Sequence, residues 1–320
     1  METRVYACYN RNDDIRSKSS SGGIYYLLAR EVLSKGGVVF AACFDRLDVV
    51  HKRIDNENEL LNSMGSKYMP SDLGDTFTDV KNELTNGKIV LFAGISCQCG
   101  GLLSYMKSCN ADCTNLITVD VICHGVPSKK AWKNYCNSLS ATGFDLASVN
   151  MRDKSSGWKS YSWRLTNTEG KSKTEPNADN PYMKGFVSDI YLRPSCSNCR
   201  FKGLERQTDI TLGDYWGVNK VQPDMDDDKG TSLVFVRSAA GQKLFEAISD
   251  SVVRTSALVD EAVKHNPSVV TSSVVSDKRT AFFQRSAEGE DFCGIVEELT
   301  RKPVSVQMKR KAKSMIKKIV

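Results

Sequence analysis

The chain has 320 residues, 40% hydrophobic and 26% charged, enough for a full core and unlike a disordered or low-complexity protein. Its +6 formal charge sits at one end: residues 301–320 carry Arg301, Lys302, Lys309, Arg310, Lys311, Lys313, Lys317 and Lys318 and no acid. The remaining 36 basic residues face 38 acidic ones, which argues against a nucleic-acid cleft, and no apolar run approaches the ~20 residues that span a bilayer.

Residues 1–20 read as polar, with no regular element. Ile24, Leu27, Leu28 and Val32 then recur at helical spacing and stop at Gly36-Gly37. A buried-strand run follows at 37–44, a helix marked by Phe77, Val80 and Leu84, and a second buried strand at 89–93. A short helix is expected over Leu102 to Met106, a third strand over 116–122, and a helix capped by Ser128 with Trp132, Tyr135, Cys136 and Leu139 inward. Alternation of helices with buried strands predicts an α/β fold with a mostly parallel sheet in the first half. After about residue 145 the pattern changes. Residues 161–165 alternate like a half-exposed strand, Thr166 to Asn180 reads as a polar loop, and strands are expected at 209–212 and 232–236. The second half is therefore expected to be α+β and packed on the first. The expected division is 1–145, 146–300 and a basic tail, 301–320.

Eleven cysteines are an odd number in a long chain whose N-terminus lacks the basic start and apolar stretch of a secretory signal. A cytoplasmic protein with reduced thiols is expected, so ligand chemistry is a better account than disulfides. Cys196-Ser197-Asn198-Cys199 is a C-x-x-C in a loop, a spacing compatible with zinc, iron–sulfur or redox dithiol use. Cys97 and Cys123 each follow a predicted parallel strand, which places both at the carboxyl-end rim where α/β sheets hold ligands. These four make the expected metal set. Cys99 is the alternative to Cys97; Cys43 and Cys136 read as core, and Cys8, Cys109, Cys113 and Cys293 as structural or incidental.

Six segments, taken together, resemble the beta-subunit family of coenzyme F420-dependent hydrogenases and dehydrogenases. They are residues 19–23 (Ser-Ser-Ser-Gly-Gly), 65–68 (Gly-Ser-Lys-Tyr), 94–98 (Gly-Ile-Ser-Cys-Gln), 120–127, 193–199 and 209–217. The family's usual Gly-Thr-Pro-Cys-Gln reads Gly-Ile-Ser-Cys-Gln here, with Cys99 following, and extra ferredoxin-like cysteine runs are missing. The chain is closer to short bacterial members associated with surface-polysaccharide genes. The resemblance implies one [4Fe-4S] cluster on Cys97, Cys123, Cys196 and Cys199, an FAD, and electron transfer to or from a redox partner protein or small-molecule carrier. The two-electron side would be a deazaflavin or another carrier or substrate.

Flavin phosphates need backbone donors and a cation. Ser20-Ser21-Gly22-Gly23 opens the helix at Ile24 and suits that task, although a serine cap with a glycine turn explains the same residues. Placing Lys67 and Tyr68 against the cofactor rests on the resemblance. Asp214 either accepts a flavin hydrogen bond or forms a turn; Arg152, Lys154 and Arg164 are candidates for an anionic substrate. The tail places Met308, Ala312, Met315, Ile316 and Ile319 on one helical face, which fits a solvated terminal helix or peripheral contact with an anionic membrane at its inner face. Thiolate spacing leaves two other functions open: a zinc-stabilised accessory protein of a polysaccharide-biosynthetic complex, or a cofactor-less scaffold.

Overall fold

The computed structural model describes residues 2–301; the predicted tail helix lies outside them. Twelve strands form two sheets: β1 (Arg4–Asn10), β2 (Val38–Asp45), β3 (Asp48–Ile54), β4 (Ser71–Asp72), β5 (Val90–Ile95), β6 (Leu116–Val121), β7 (Leu146–Asp153), β8 (Ser162–Asn167), β9 (Ser172–Pro176), β10 (Ile210–Asp214), β11 (Ser232–Val236) and β12 (Val252–Ser256). Nine make one sheet in the order β12-β1-β11-β10-β6-β5-β2-β3-β4, and β7-β8-β9 form a small antiparallel one. The protein is α/β, as its pattern predicts.

The centre β10-β6-β5-β2 is parallel. β11 runs antiparallel both to β10 and to β1, so β1 points the same way as the parallel centre. Five strands, β1, β10, β6, β5 and β2, therefore end at one rim. Strands from both halves of the chain share this sheet.

Hydrophobic pattern accounts for the layers. Helix Ile24–Ser34 buries Leu27, Leu28 and Val32 against Val39, Leu91, Val119 and Leu212 on one sheet face. Helices Thr76–Thr85 and Ser96–Ser108 cover the other with Val80, Leu84, Leu102 and Met106 against Phe40, Val90 and Phe92. A second core gathers helices Lys129–Ala141, Pro181–Val187, Arg279–Ala287 and Phe292–Thr300 around Trp163, Tyr135, Tyr182 and Phe282. Among the described residues, no helix is long and apolar enough to cross a membrane.

Three readings change. Residues 1–20, expected to hold no regular element, contain β1, paired on both sides with Val5, Ala7, Cys8 and Asn10 buried, and a short helix, Asp13–Lys18. Within 166–180 the edge strand β9 is polar along its length and buries no side chain fully, so it carries no apolar alternation to read. The helix after β5 starts at Ser96, before Cys97, because the Gln98 side chain accepts the Ile95 N–H at 3.1 Å and closes its first turn.

Candidate functional site at the carboxyl rim of the sheet

Cys97 sits in the first turn of helix Ser96–Ser108 and Cys123 two residues past β6. Cys196 lies in a single 3-10 turn, Pro194–Asn198, started by Pro194, and Cys199 closes that turn. All four line one cavity with Ile95, His124, Val126, Phe201, Lys202 and Arg206. Cys97 is the exposed member and the other three are half-buried. The Val126 N–H donates to Cys196 Sγ at 3.3 Å, and the Cys199 N–H to Ser272 Oγ at 3.1 Å. Among the described residues, no three His, Cys, Asp or Glu side chains close on one ion position, so the thiols border the cavity rather than meet at a point.

Burial pushes the Cys123 thiol up to about 12 against the pull of Lys202, with the other three thiols adding to the rise. Cys97 is raised by burial, then by Cys199 and Cys196, and lowered by Arg193. The Lys202 ammonium reaches the Cys123 carbonyl and the Ser268 carbonyl, the latter at 2.7 Å, and burial lowers its pKa. Beneath the cavity Asp120, fully buried on β6, pairs with Arg206 Nη1 at 2.7 Å. It also accepts from Ser96, Thr208 and Thr211. The charge pair is thus fully hydrogen-bonded, the condition under which a buried ion pair is tolerated. Cys99 points elsewhere: it is fully buried in the core under the helix, with its thiol 3.8 Å from the Val119 carbonyl.

The second group of predicted residues meets at the same rim. The Ser20–Gly23 loop follows β1, and Ser66 Oγ donates to Ser20 Oγ at 2.8 Å, joining it to the Ser66–Tyr68 segment. Gly22 is required by closeness: a Cβ there would lie 2.5 Å from the Cys8 carbonyl oxygen and 2.9 Å from Ser232 N. Lys67 Nζ donates to the carbonyls of Ser63, Met64 and Gly65, and burial lowers its pKa to about 8, with Cys43 opposing. Tyr68 packs on Phe186 and stacks with Trp163. Asp214 ends β10, where Arg152 grips it with two bonds of 2.7 and 3.0 Å and the Trp158 indole donates at 3.0 Å. Arg152 also reaches Tyr68 Oη at 3.3 Å and lies 4.3 Å over the Tyr161 ring. Burial works against its charge, and Asp214, Tyr68 and Tyr161 more than offset that. Lys154 Nζ donates to the carbonyls of Arg16, Ser21 and Lys229; burial, then Arg16 and Arg152, lower its pKa to about 7.

Two family profiles of the coenzyme F420 hydrogenase/dehydrogenase beta subunit match the chain, the N-terminal one over residues 5–77 and the C-terminal one over residues 87–261. The chain belongs to the coenzyme F420 hydrogenase/dehydrogenase beta-subunit family. Its fold is similar to a chain in a structure titled "Xenon derivatization of the F420-reducing [NiFe] hydrogenase complex from Methanosarcina barkeri". The identity is 16% and the TM-score 0.54, over 89% of this chain and 93% of that one. No curated protein matches.

In this family member the predicted residues form two linked groups. Cys97, Cys123, Cys196 and Cys199 share the cavity; Ser20, Ser21, Gly22, Gly23, Lys67, Tyr68 and Asp214 are connected through Ser66, Arg152 and Lys154. Residues 266–272 touch both, since the Asn266 amide donates to the Asp214 carbonyl at 2.8 Å while Ser272 accepts from Cys199. Arg164 instead pairs with Asp153 at 2.8 Å on the small sheet. Sequence reasoning gave Arg206, Lys202, Asp120 and Ser66 no role. Their signal was adjacency to the motifs, since Asp120 lies three residues before Cys123, and Lys202 three after Cys199.

Proposed function

We propose that this protein is an iron–sulfur flavoprotein oxidoreductase holding one [4Fe-4S] cluster and one FAD. The observation that carries the reading is the cavity: cysteines from three separate stretches of chain line it together. Thiols spaced around a cavity suit a cubane, which takes one thiolate at each iron corner; a lone tetrahedral zinc needs them converged. The apolar walls Ile95, Val126 and Phe201 and the Val126 N–H aimed at Cys196 suit such a centre as well.

The residues at the loop fit a dinucleotide. Arg16 and Arg152 each have a carboxylate, Asp227 and Asp214. Lys67 and Lys154 bond only to backbone carbonyls among the described residues. Lys154 reaches the Ser21 carbonyl and Lys67 follows Ser66, which bonds Ser20, so when protonated the two offer positive charge for the two negative charges of a pyrophosphate. Val121 stands 42% exposed at the top of β6, and strand alternation puts it on the face of helix Ile24–Ser34, an apolar floor for a ring system.

When bound, the pair of groups supplies exchange between two-electron transfer, with a deazaflavin or another carrier or substrate, and one-electron transfer with a redox partner. The chain's contribution is placement. The Ser20–Gly23 loop and the two lysines hold phosphate, Arg152 locks Tyr68 to Asp214, and the 266–272 strap fixes that group relative to the cysteine loop. Stepwise reduction of anaerobically purified protein tests the reading. A flavin absorption band that bleaches with two electrons, together with a one-electron paramagnetic cluster signal, is expected; a preparation lacking both refutes it.

A further inference from the structure

Seven large apolar side chains stand exposed among the described residues, and five of them belong to segments bonded to the cysteine cavity. Val270 (41%), Val274 (67%) and Val275 (61%) lie on one strand of chain, Leu204 (39%) and Val187 (59%) on two others. The hydrogen bonds show that these segments are neighbours. The Gly203 N–H donates to the Val269 carbonyl at 2.9 Å, and Cys199 N–H to Ser272 Oγ. Asp189, two residues from Val187, accepts the Val274 N–H at 3.1 Å with one oxygen and contacts His124 Nε2 at 2.7 Å with the other; His124 lines the cavity. Isolated exposed apolar residues need no explanation, but a concentration around one opening does.

The cysteine-loop side of the opening is basic: residues 193–202 contain Arg193, Arg200 and Lys202 and no acid, while the exposed acids Glu205 and Asp277 lie beyond it, next to Leu204 and two residues past Val275. Arg193 and Arg200 are exposed and form no ion pair among the described residues, while Cys97 is the exposed thiol of the four.

Resting on the cluster reading above, we propose that a one-electron carrier protein with an acidic rim docks here, its apolar contact on Leu204, Val270, Val274 and Val275 and its acids against Arg193 and Arg200. In the encounter the carrier loses one electron and the cluster gains it, or the reverse. No bond forms or breaks. Apolar contact sets the lifetime of such a complex and complementary charge its rate of formation.

The test uses cluster-loaded protein and two reductants in stopped flow: a reduced acidic two-cluster bacterial ferredoxin, and reduced methyl viologen, which needs no docking surface. The proposal expects the ferredoxin rate to fall steeply between about 50 and 500 mM salt. It expects a further drop of roughly tenfold or more in Val274→Asp/Val275→Asp and in Arg200→Glu, with the viologen rate unchanged by the valine pair. The valines are exposed, so the variants should fold, and iron and sulfide content checks this. Equal ferredoxin rates in all variants of cluster-loaded protein, or parallel changes for both reductants, overturn the docking site alone. A wild-type preparation without iron and sulfide overturns the cluster reading and the docking site with it.

Discussion

Cys97 and Cys99 lie two residues apart in one helical turn, about 200° around the axis, and this decides which can be a ligand. Cys97 opens to the cavity and Cys99 is sealed in the core. Cys99→Ser should keep the cluster's visible absorption and lose about 1–2 kcal/mol of stability in urea, because it buries a hydroxyl where a thiol packed; Cys97→Ser should lose the absorption. A pH prediction belongs at this scale too. In the free protein burial holds Lys67 at about 8 and Lys154 at about 7, below the ordinary lysine value. Phosphate favours the charged ammonium, so FAD binding should take up protons, and affinity should fall as pH rises from about 7 to 9. Titrating flavin-free protein with FAD across that range checks the sign. Affinity that is flat or increases with pH would remove both lysines from the phosphate site.

At the scale of elements, the rim is assembled by pairs of partners on different strands. Arg152 from β7 and Asp214 from β10 are both largely buried, with side chains 4% and 16% exposed. Arg152→Met strands the carboxylate and should cost about 3 kcal/mol in urea unfolding, whereas Arg152→Met/Asp214→Asn should recover most of it. Full additivity of the two substitutions would show the pair uncoupled. Gly22→Ala drives a Cβ into the Cys8 carbonyl and should cost about 1–3 kcal/mol while weakening FAD binding, since the clash displaces the loop.

Legibility varied by element for the same physical reasons. The buried parallel strands were readable because both faces are covered, leaving continuous apolar runs such as 38–43 and 89–93. β1 was not, because Arg4, Tyr6 and Tyr9 on its less buried positions interrupt the run, and β9 was not, because an edge strand buries little. The closeness of Cys97 and Cys123 was legible since both follow parallel strands that end at one rim, and the Cys196/Cys199 loop borders the same cavity. Arg206 under the cavity was not, because its partner Asp120 lies 86 residues away in sequence; Lys154 was read as a candidate for an anionic substrate, but not its place beside Ser21, 133 residues away.

Over the whole molecule, one sheet gathers strands from residues 4 to 256, and its carboxyl rim brings the four cysteines near the Ser20–Gly23 loop and Asp214, while Arg164 stays on the small sheet. The central claim is that Cys97, Cys123, Cys196 and Cys199 hold a single [4Fe-4S] cluster. The most direct measurement is iron, acid-labile sulfide and zinc per chain in anaerobically purified protein, run beside Cys123→Ser, Cys199→Ser and Cys99→Ser. The account predicts about four iron and four sulfide, with little zinc, in the wild type and Cys99→Ser, and a large loss in the other two. One zinc per chain without sulfide, or a cluster that survives Cys199→Ser but not Cys99→Ser, would contradict it.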